Sequence, residues 1–361
     1  MITGTLGRYI GLRFLGAVAA VFIGIFVMVV LLDYIELTRR SAGIPQIPAW
    51  VVAATSLYRV PQITERLLPF SVLIGAMVCY LNLSRRNELV IARASGMSAW
   101  QFVAPSVALA FLMGIAAAGI YNPLAATLGE RAKQLEESIF GAESGVASGS
   151  GSWIRQRSDD GQSILHATSS REQGASLAGI AIFRFDSAGK FLERLEADTA
   201  KLESGHWRLE NVRIYSTNAP PREVSLYRLN TNLTNEQVRE SFATPETVSF
   251  WQLPLYIDLA ERAGLVAAGY RLQYQSLLAR PFLLATMVLM AAAVSLRFFR
   301  FGGVRKMVLS GIAGGFLLYV LSKVTEDLSK AELMHPVTAA WSPVLAGALI
   351  GIVALLYQED G

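Results

Sequence analysis

The residues best suited to chemistry lie in a short charged stretch, residues 84–98, between two long apolar runs. The stretch holds three arginines and only Glu88 as counter-charge. Helical spacing puts Leu89 and Arg93 on one face, and Gly96 is a natural helix stop. A helix that is too short to span and too basic to translocate is typical of the cytoplasmic membrane surface. We therefore predict a surface helix that docks a soluble partner.

A second candidate set consists of charged residues at the predicted outer ends of the first two apolar runs. Arginines here either snorkel to the headgroup level, as helix-end cations commonly do, or bind anionic groups in a cavity. Guanidinium groups pair bidentately with phosphate, and clustering on two neighbouring runs favours the second interpretation. The set comprises Asp33, Glu36, Arg39, Arg40, Arg59 and Arg66.

No pattern in the sequence predicts an enzyme. The histidines, His166, His206 and His335, are not paired at metal-ligand spacing, and the single cysteine, Cys79, lies in an apolar run. There is no phosphate-binding loop, nucleophile elbow or zincin motif. We expect no catalytic residue, metal site or cofactor, so any driving energy must come from a partner. A net charge of +4 is too weak to indicate nucleic acid binding.

The elements that must position these residues are membrane helices. With 53% hydrophobic and 17% charged residues, the composition favours an integral membrane protein with one polar portion. An apolar helix of about 30 Å crosses the hydrocarbon layer. We expect an irregular connection over residues 33–50 and a mixed-charge turn over 323–332. The predicted spans lie in residues 14–32, 50–83, 102–124, 277–296, 308–321 and 341–357.

Between the third and fourth spans the hydrophobic period changes to two. Apolar alternation over residues 180–185, 191–197 and 207–215, separated by turn signals, predicts antiparallel sheets in a sandwich or roll. We divide the chain into spans one to three with the surface helix (residues 1–128), a β domain (129–265) and spans four to six (266–361).

The distribution of basic residues predicts the orientation of this fold. They concentrate at the N-terminus, over residues 85–93 and over residues 297–306, which lie on one side when six spans are counted. The positive-inside rule puts both termini in the cytoplasm and the β domain outside.

Several local motifs resemble one family, the LptF/LptG permeases of the Gram-negative lipopolysaccharide exporter. The resemblance covers nearly the whole chain, and residues 302–305 and 314–321 are more similar to the LptG branch than to LptF. It implies a membrane α-helical fold of six transmembrane helices with an inserted periplasmic, jellyroll-like all-β domain, in the bacterial inner membrane. The motifs are Arg8-Tyr9-Ile10, residues 86–89 with 94–96, residues 179–182, Trp207-Arg208-Leu209 and residues 231–234.

The resemblance also implies partners. An LptF-like permease, a cytoplasmic LptB-like ATPase dimer and LptC-like and LptA-like bridge proteins are expected to act with this chain on lipopolysaccharide. Residues 85–98 match the coupling helix of the family, which sits in a groove of the ATPase. The implied ATPase-coupling residues are Arg86, Glu88, Leu89, Arg93 and Gly96.

One departure from the family concerns the headgroup site. Known members carry a basic residue near the position of Asp33. We therefore predict that Asp33 is not a direct phosphate ligand and that lipopolysaccharide binds Arg39, Arg40, Arg59 and Arg66. The alternatives are the LptF paralogue, a mechanotransmission or assembly protein that carries no lipid, and, least favoured, a membrane enzyme.

Overall fold

The structure, a computed structural model, describes residues 4–42, 47–140, 152–158, 161–171, 176–186, 190–203, 205–216, 219–231, 245–262, 267–299 and 304–359. These residues fall into two compact units. The helical unit lies within Met1–Lys133, Pro245–Asp258 and Val266–Gly361, and the β unit within Gln134–Thr244 and Leu259–Leu265.

Within the described residues, six helical spans are long and apolar enough to cross a membrane. This confirms the predicted fold class, a membrane helical protein with an inserted β portion. The helices are α1 (Thr5–Ser41), α2 (Ala49–Arg85), α3 (Glu88–Ala94), α4 (Ala99–Ala116), α5 (Asn122–Phe140), α6 (Leu253–Arg262), α7 (Ala268–Phe299), α8 (Val304–Lys330) and α9 (Pro336–Glu359). A π turn (Ala117–Tyr121) joins α4 to α5 and makes them one span.

Two predicted loops are largely helical. Residues 33–41 belong to α1, which is 37 residues or about 55 Å long, and residues 323–330 belong to α8. Charged pairs one turn apart stabilise both extensions, Glu36 with Arg39 and Lys323 with Asp327. The irregular connection and the mixed-charge turn are therefore shorter than predicted, because charge does not stop a helix that has left the hydrocarbon layer.

Close helix contacts form the core of the helical unit. Gly311 and Gly315 of α8 pack on Met77 and Leu73 of α2, so these small residues serve packing within the chain. Among the described glycines of the helices, Gly114 makes the closest approach, since a Cβ there would be 2.3 Å from Cα of Pro281. α2 and α7 are the central helices, with 61% of the apolar window of each buried.

The β unit contains an antiparallel meander of six strands in the order β1 to β6. One set of alternating residues is apolar and buried, including Leu165, Ile182, Leu195 and Trp207. Strand alternation thus separates a packed face from a polar one, as the period of two predicted. The strands are β1 (Ser152–Ser158), β2 (Gly161–Arg171), β3 (Ser176–Phe185), β4 (Phe191–Glu203), β5 (His206–Ser216) and β6 (Ala219–Asn230).

Candidate functional site

The charged stretch after the second span forms a separate short helix. α2 continues to Arg85, and Asn87 then adopts a left-handed conformation (φ 58°) that redirects the chain into α3. α3 ends before Gly96, which is also left-handed (φ 82°), so the predicted stop is confirmed. Ser98 and Gln101 form a capping box that starts α4. The helix predicted over residues 85–98 is therefore shorter in the structure, where it covers Glu88–Ala94.

Two side chains attach α3 to the membrane helices. Leu89 is only 4% exposed and belongs to the core of the helical unit, so it fixes α3 to that core. Glu88 is half-buried and accepts a hydrogen bond of 3.1 Å from the Tyr9 hydroxyl of α1. Arg86 is exposed, whereas the side chain of Arg93 lies outside the described residues. The structure thus brings Glu88 and Leu89 together with α1 and the core, and leaves Arg86 at the surface.

The four arginines predicted to bind headgroups lie at the opposite end of the membrane helices, which we call the far end. Arg39 pairs with Glu36 (3.0 Å), and Arg59 Nε lies 3.5 Å from Asp33 Oδ1. The first pair lies within α1 and the second joins α1 to α2, and Arg40 is exposed beside them. Acidic neighbours thus accompany at least three of these cations, and Asp33 is the neighbour of Arg59. The third pair is Arg66 with Glu246 (3.8 Å).

A cavity of about 410 Å³ lies at the far end, between α2, α7, α8, α9 and the linker segment, Pro245–Gln252, that precedes α6. Its wall is charged at one end and apolar at the other, where Phe70, Leu283, Met287, Tyr319 and Val344 line it. Such a wall fits an amphiphile with a charged head and an apolar tail. The charged wall residues are Glu65, Arg66, Glu246, Arg280, Lys323, Glu326 and Lys330.

A buried ion pair closes one side of this cavity. Arg280 of α7 donates to the Glu65 carboxylate of α2, with side chains 14% and 7% exposed. Asn122, which is 1% exposed, donates to Glu65 (2.9 Å) and accepts from the backbone N–H of Phe250 (2.9 Å). Three spans and the linker segment therefore share one polar network, and every member has a partner, as a buried charge requires.

The linker segment is fixed to the helical unit at further points. The backbone carbonyl of Glu246 accepts from the Gln62 amide (3.0 Å), and the Trp251 indole donates to the Gly119 carbonyl of the π turn (3.0 Å). Phe250 stacks on Tyr274, with ring centroids 5.5 Å apart. The backbone of this segment is thus held independently of its one carboxylate.

The Glu246 carboxylate lies between two cations. Its Oε1 is 3.4 Å from Lys330 Nζ and 3.8 Å from the Arg66 guanidinium. Burial by itself raises the pKa of Glu246. Its own backbone N–H, together with Lys330 and Arg66, outweighs that effect and holds the pKa below its usual value. Glu246 is therefore ionised at neutral pH.

Sequence reasoning missed Glu65, Arg280, Asn122, Glu246 and Lys330 as a connected site. One signal was present, because ionisable residues within apolar spans, here Glu65 and Arg280, mark functional or structural sites. Their pairing was not visible, since 215 positions separate the two residues. Within the described ranges, no group of three or more His, Cys, Asp or Glu side chains is placed to hold a metal ion.

A sequence model of the family described as "Lipopolysaccharide export system permease LptF/LptG" matches residues 8–357. The chain belongs to the LptF/LptG family. Its relatives include the lipopolysaccharide export system permease protein LptG of Escherichia coli K12, 25% identical over 99% of both chains. The protein of the same name from Haemophilus influenzae is 26% identical over 96% of this chain and 94% of the relative. As a permease-family member with six candidate spans, this LptF/LptG protein is a multi-pass membrane protein.

Proposed function

We propose that this chain is a permease subunit of a lipopolysaccharide exporter, of the LptG branch, in a bacterial inner membrane. The observation that carries the proposal is the family match over residues 8–357, because it includes the spans, the α3 region and the β unit together. The LptG branch is favoured over LptF because the relatives of similar length are named LptG. The chain has no catalytic role in this proposal, and an LptB-like ATPase dimer hydrolyses ATP.

The uncovered faces of α1 and α8 support a second permease as partner. Only 11% of the apolar window of α1 and 22% of that of α8 are buried by the chain itself, whereas α2 and α7 are 61% buried. Large side chains such as Ile23, Leu31, Phe316 and Leu317 are more than half exposed. An LptF-like permease that covers part of these faces would enclose a lipid cavity between the two chains.

The contacts of α3 support its role as the coupling helix. Arg86 presents charge to a soluble protein, while Leu89 fixes α3 to the core. A push on α3 therefore passes directly into the membrane helices, in particular α1 through the bond between Tyr9 and Glu88. In this proposal both termini and α3 lie in the cytoplasm and the β unit lies in the periplasm, next to LptC-like and LptA-like bridge proteins.

The far end supplies the proposed headgroup site. Arg39, Arg40, Arg59 and Arg66 provide guanidinium groups, each suited to bidentate phosphate binding. Arg39 is 77% exposed, so lipid phosphate can reach it while Glu36 remains bound, and the Arg66 side chain is 66% exposed. Asp33, which faces Arg59, serves as an orienting counter-charge rather than a phosphate ligand.

Affinity purification from native membranes in mild detergent, with mass spectrometry of bound proteins and lipids, tests the proposal. We expect a second six-span permease, a soluble ATPase and lipopolysaccharide. Recovery of the chain alone, or with ordinary phospholipid only, would refute the transport function and favour a mechanotransmission or assembly protein.

Variants at Glu88 test the coupling role separately. Glu88→Arg is expected to reduce copurification of the ATPase and export of lipopolysaccharide, because it replaces the one acidic side chain of α3 with a basic one outside the bilayer. Tyr9→Phe, which removes the internal hydrogen bond and leaves the charge of Glu88 in place, should keep copurification of the ATPase. Normal membrane insertion with unchanged ATPase recovery for Glu88→Arg would contradict the assignment.

A further inference from the structure

The cations of the far-end cavity are neutralised by the chain's own carboxylates. Arg280 pairs with Glu65, and Lys323 pairs with Asp327 at 3.1 Å. Lys330 lies between Glu326 (2.8 Å) and Glu246 (3.4 Å). Arg66, the remaining cation of the wall, faces Glu246. Because four carboxylates match these four cations, an anionic headgroup that enters this cavity gains a free cation only by displacing a carboxylate.

The structure distinguishes which carboxylate can leave. Glu65 is 7% exposed and is also bound by Asn122, so its departure would leave Arg280 buried without a counter-ion. Glu326 lies on α8, within one helical turn of both Lys323 and Lys330. Glu246 differs from both, because its nearest cation contact is 3.4 Å, against 2.8 Å for Glu326, and because it shares no helix with either of its cations.

The backbone around Glu246 does not depend on that side chain. Contacts to Gln62, Asn122 and Gly119 hold the linker segment through backbone carbonyls, a backbone N–H and an indole. The Glu246 side chain can therefore rotate away from Arg66 and Lys330 while the segment stays in place. The two cations would then face the cavity at its charged end, above the apolar wall.

We propose that Glu246 is an internal competitor that occupies the Arg66 and Lys330 pair until the phosphate of an amphiphilic lipid replaces it. This inference rests on the proposed function and adds to it a site and a selection step. The apolar part of the wall assigns the phosphate to a lipid rather than to a free ion. A neutral headgroup gains no cation contact on entry and leaves Glu246 in place, so the exchange selects for phosphorylated lipid.

Titration of the purified full-length protein with synthetic bisphosphorylated lipid A, followed by native mass spectrometry, tests the proposal. Glu246→Gln keeps the shape of the side chain and removes its charge. We expect this variant to bind the lipid roughly fivefold more tightly than the wild type, the effect of deleting one partly exposed competing charge. Glu332→Gln is the charge-matched control, because Glu332 is exposed outside the cavity, and it should bind like the wild type.

Additional titrations identify the ligand and the cations that bind it. Addition of Lys330→Gln to Glu246→Gln should abolish the gain, and dephosphorylated lipid A should show no gain. Inorganic phosphate should not compete, and full competition would refute the assignment to a lipid. If all variants bind bisphosphorylated lipid A equally, the competitor role is refuted while the transport function stands. If no variant, wild type included, binds it, the transport function fails and the inference fails with it.

Discussion

At the scale of single residues, the central feature is a charge network inside a membrane unit. Glu65 and Arg280 are almost fully enclosed, and Asn122 satisfies a further acceptor position of Glu65. Removing one member of a buried ion pair leaves an uncompensated charge, which costs far more than loss of an exposed pair. The network therefore fixes α2 against α7 only while it is complete.

Glu65→Ala is expected to destabilise the protein by about 3 to 5 kcal/mol, because Arg280 would remain buried without its partner. Replacing both residues by methionine should cost clearly less than Glu65→Ala alone. Glu36→Ala is the control, since Glu36 belongs to an exposed pair with Arg39 that water screens, so its loss should be much smaller. Thermal unfolding in detergent measures all three variants. Equal losses for Glu65→Ala and Glu36→Ala would contradict the argument.

At the scale of elements, two devices position the helices. One is close backbone approach, most evident where Gly114 of α4 meets Pro281 of α7. The other is the linker segment, which contacts α2, the π turn, α7 and α8. The π turn leaves a backbone carbonyl, that of Gly119, which the Trp251 indole satisfies. The third span thus carries both the close contact with α7, at Gly114, and an attachment point of the linker segment, at Gly119.

Gly114→Ala is expected to destabilise the helical unit by about 1 to 3 kcal/mol, because the new methyl group would overlap backbone atoms of Pro281. Gly24→Ala is the matched control, since no atom lies within 4 Å of the position its Cβ would take. Thermal unfolding in detergent compares the two. A Gly114→Ala variant as stable as the wild type would contradict this, because it would show that the two spans can move apart without loss of stability.

The ionised Glu246 carboxylate gives the linker segment a pH dependence. Because its folded pKa lies below the ordinary value of 4.5, its contribution to stability is complete above 4.5 and is lost as pH falls through the folded pKa. The groups facing it are Arg66 and Lys330, and Glu326 lies behind Lys330.

The stability difference between the wild type and Glu246→Gln should therefore shrink as the pH is lowered from neutral to below 4.5. Its size at neutral pH should be about 1 kcal/mol, as for other partly exposed pairs. Thermal melts of both proteins across this pH range provide the measurement. Taking the difference cancels the titration of all other groups, so a constant difference would contradict a charged Glu246.

At the scale of the whole molecule, six spans carry an inserted β unit and a short helix, α3, between the second and third spans. In the proposed orientation these two parts lie on opposite sides of the membrane. The chain has one cysteine, Cys79, which is buried, so single-cysteine variants can report the side of each part.

In a Cys79→Ala background, cysteine in place of Lys201, which is exposed on β4, should react with a membrane-impermeant maleimide added to spheroplasts. Cysteine in place of Ser95, which is exposed after α3, should react only after lysis. The physical reason is the positive-inside bias of the α3 region. Labelling of Ser95→Cys in intact spheroplasts would contradict the proposed orientation and indicate the opposite one.

The sequence by itself determined the number of spans, the place of the β insertion and the stop of α3 at Gly96. These features depend on local signals, namely hydropathy, period and backbone conformation, which act over a few neighbouring residues. It also determined the family, because the motifs lie in order along the chain. The lengths of α1 and α8 could not be predicted from the sequence, since charged residues beyond the hydrocarbon layer fit a helix as well as a loop.

Only the tertiary structure decided which charges meet. Arg280 lies 215 positions from its partner Glu65, and Glu246 lies far in sequence from both Arg66 and Lys330. No local pattern encodes such pairs, because each depends on how the helices pack. Packing also decided that Leu89 is buried in the core of the helical unit. The partner of a charge in a membrane protein is thus a property of the assembled spans, and that assembly produced the far-end cavity.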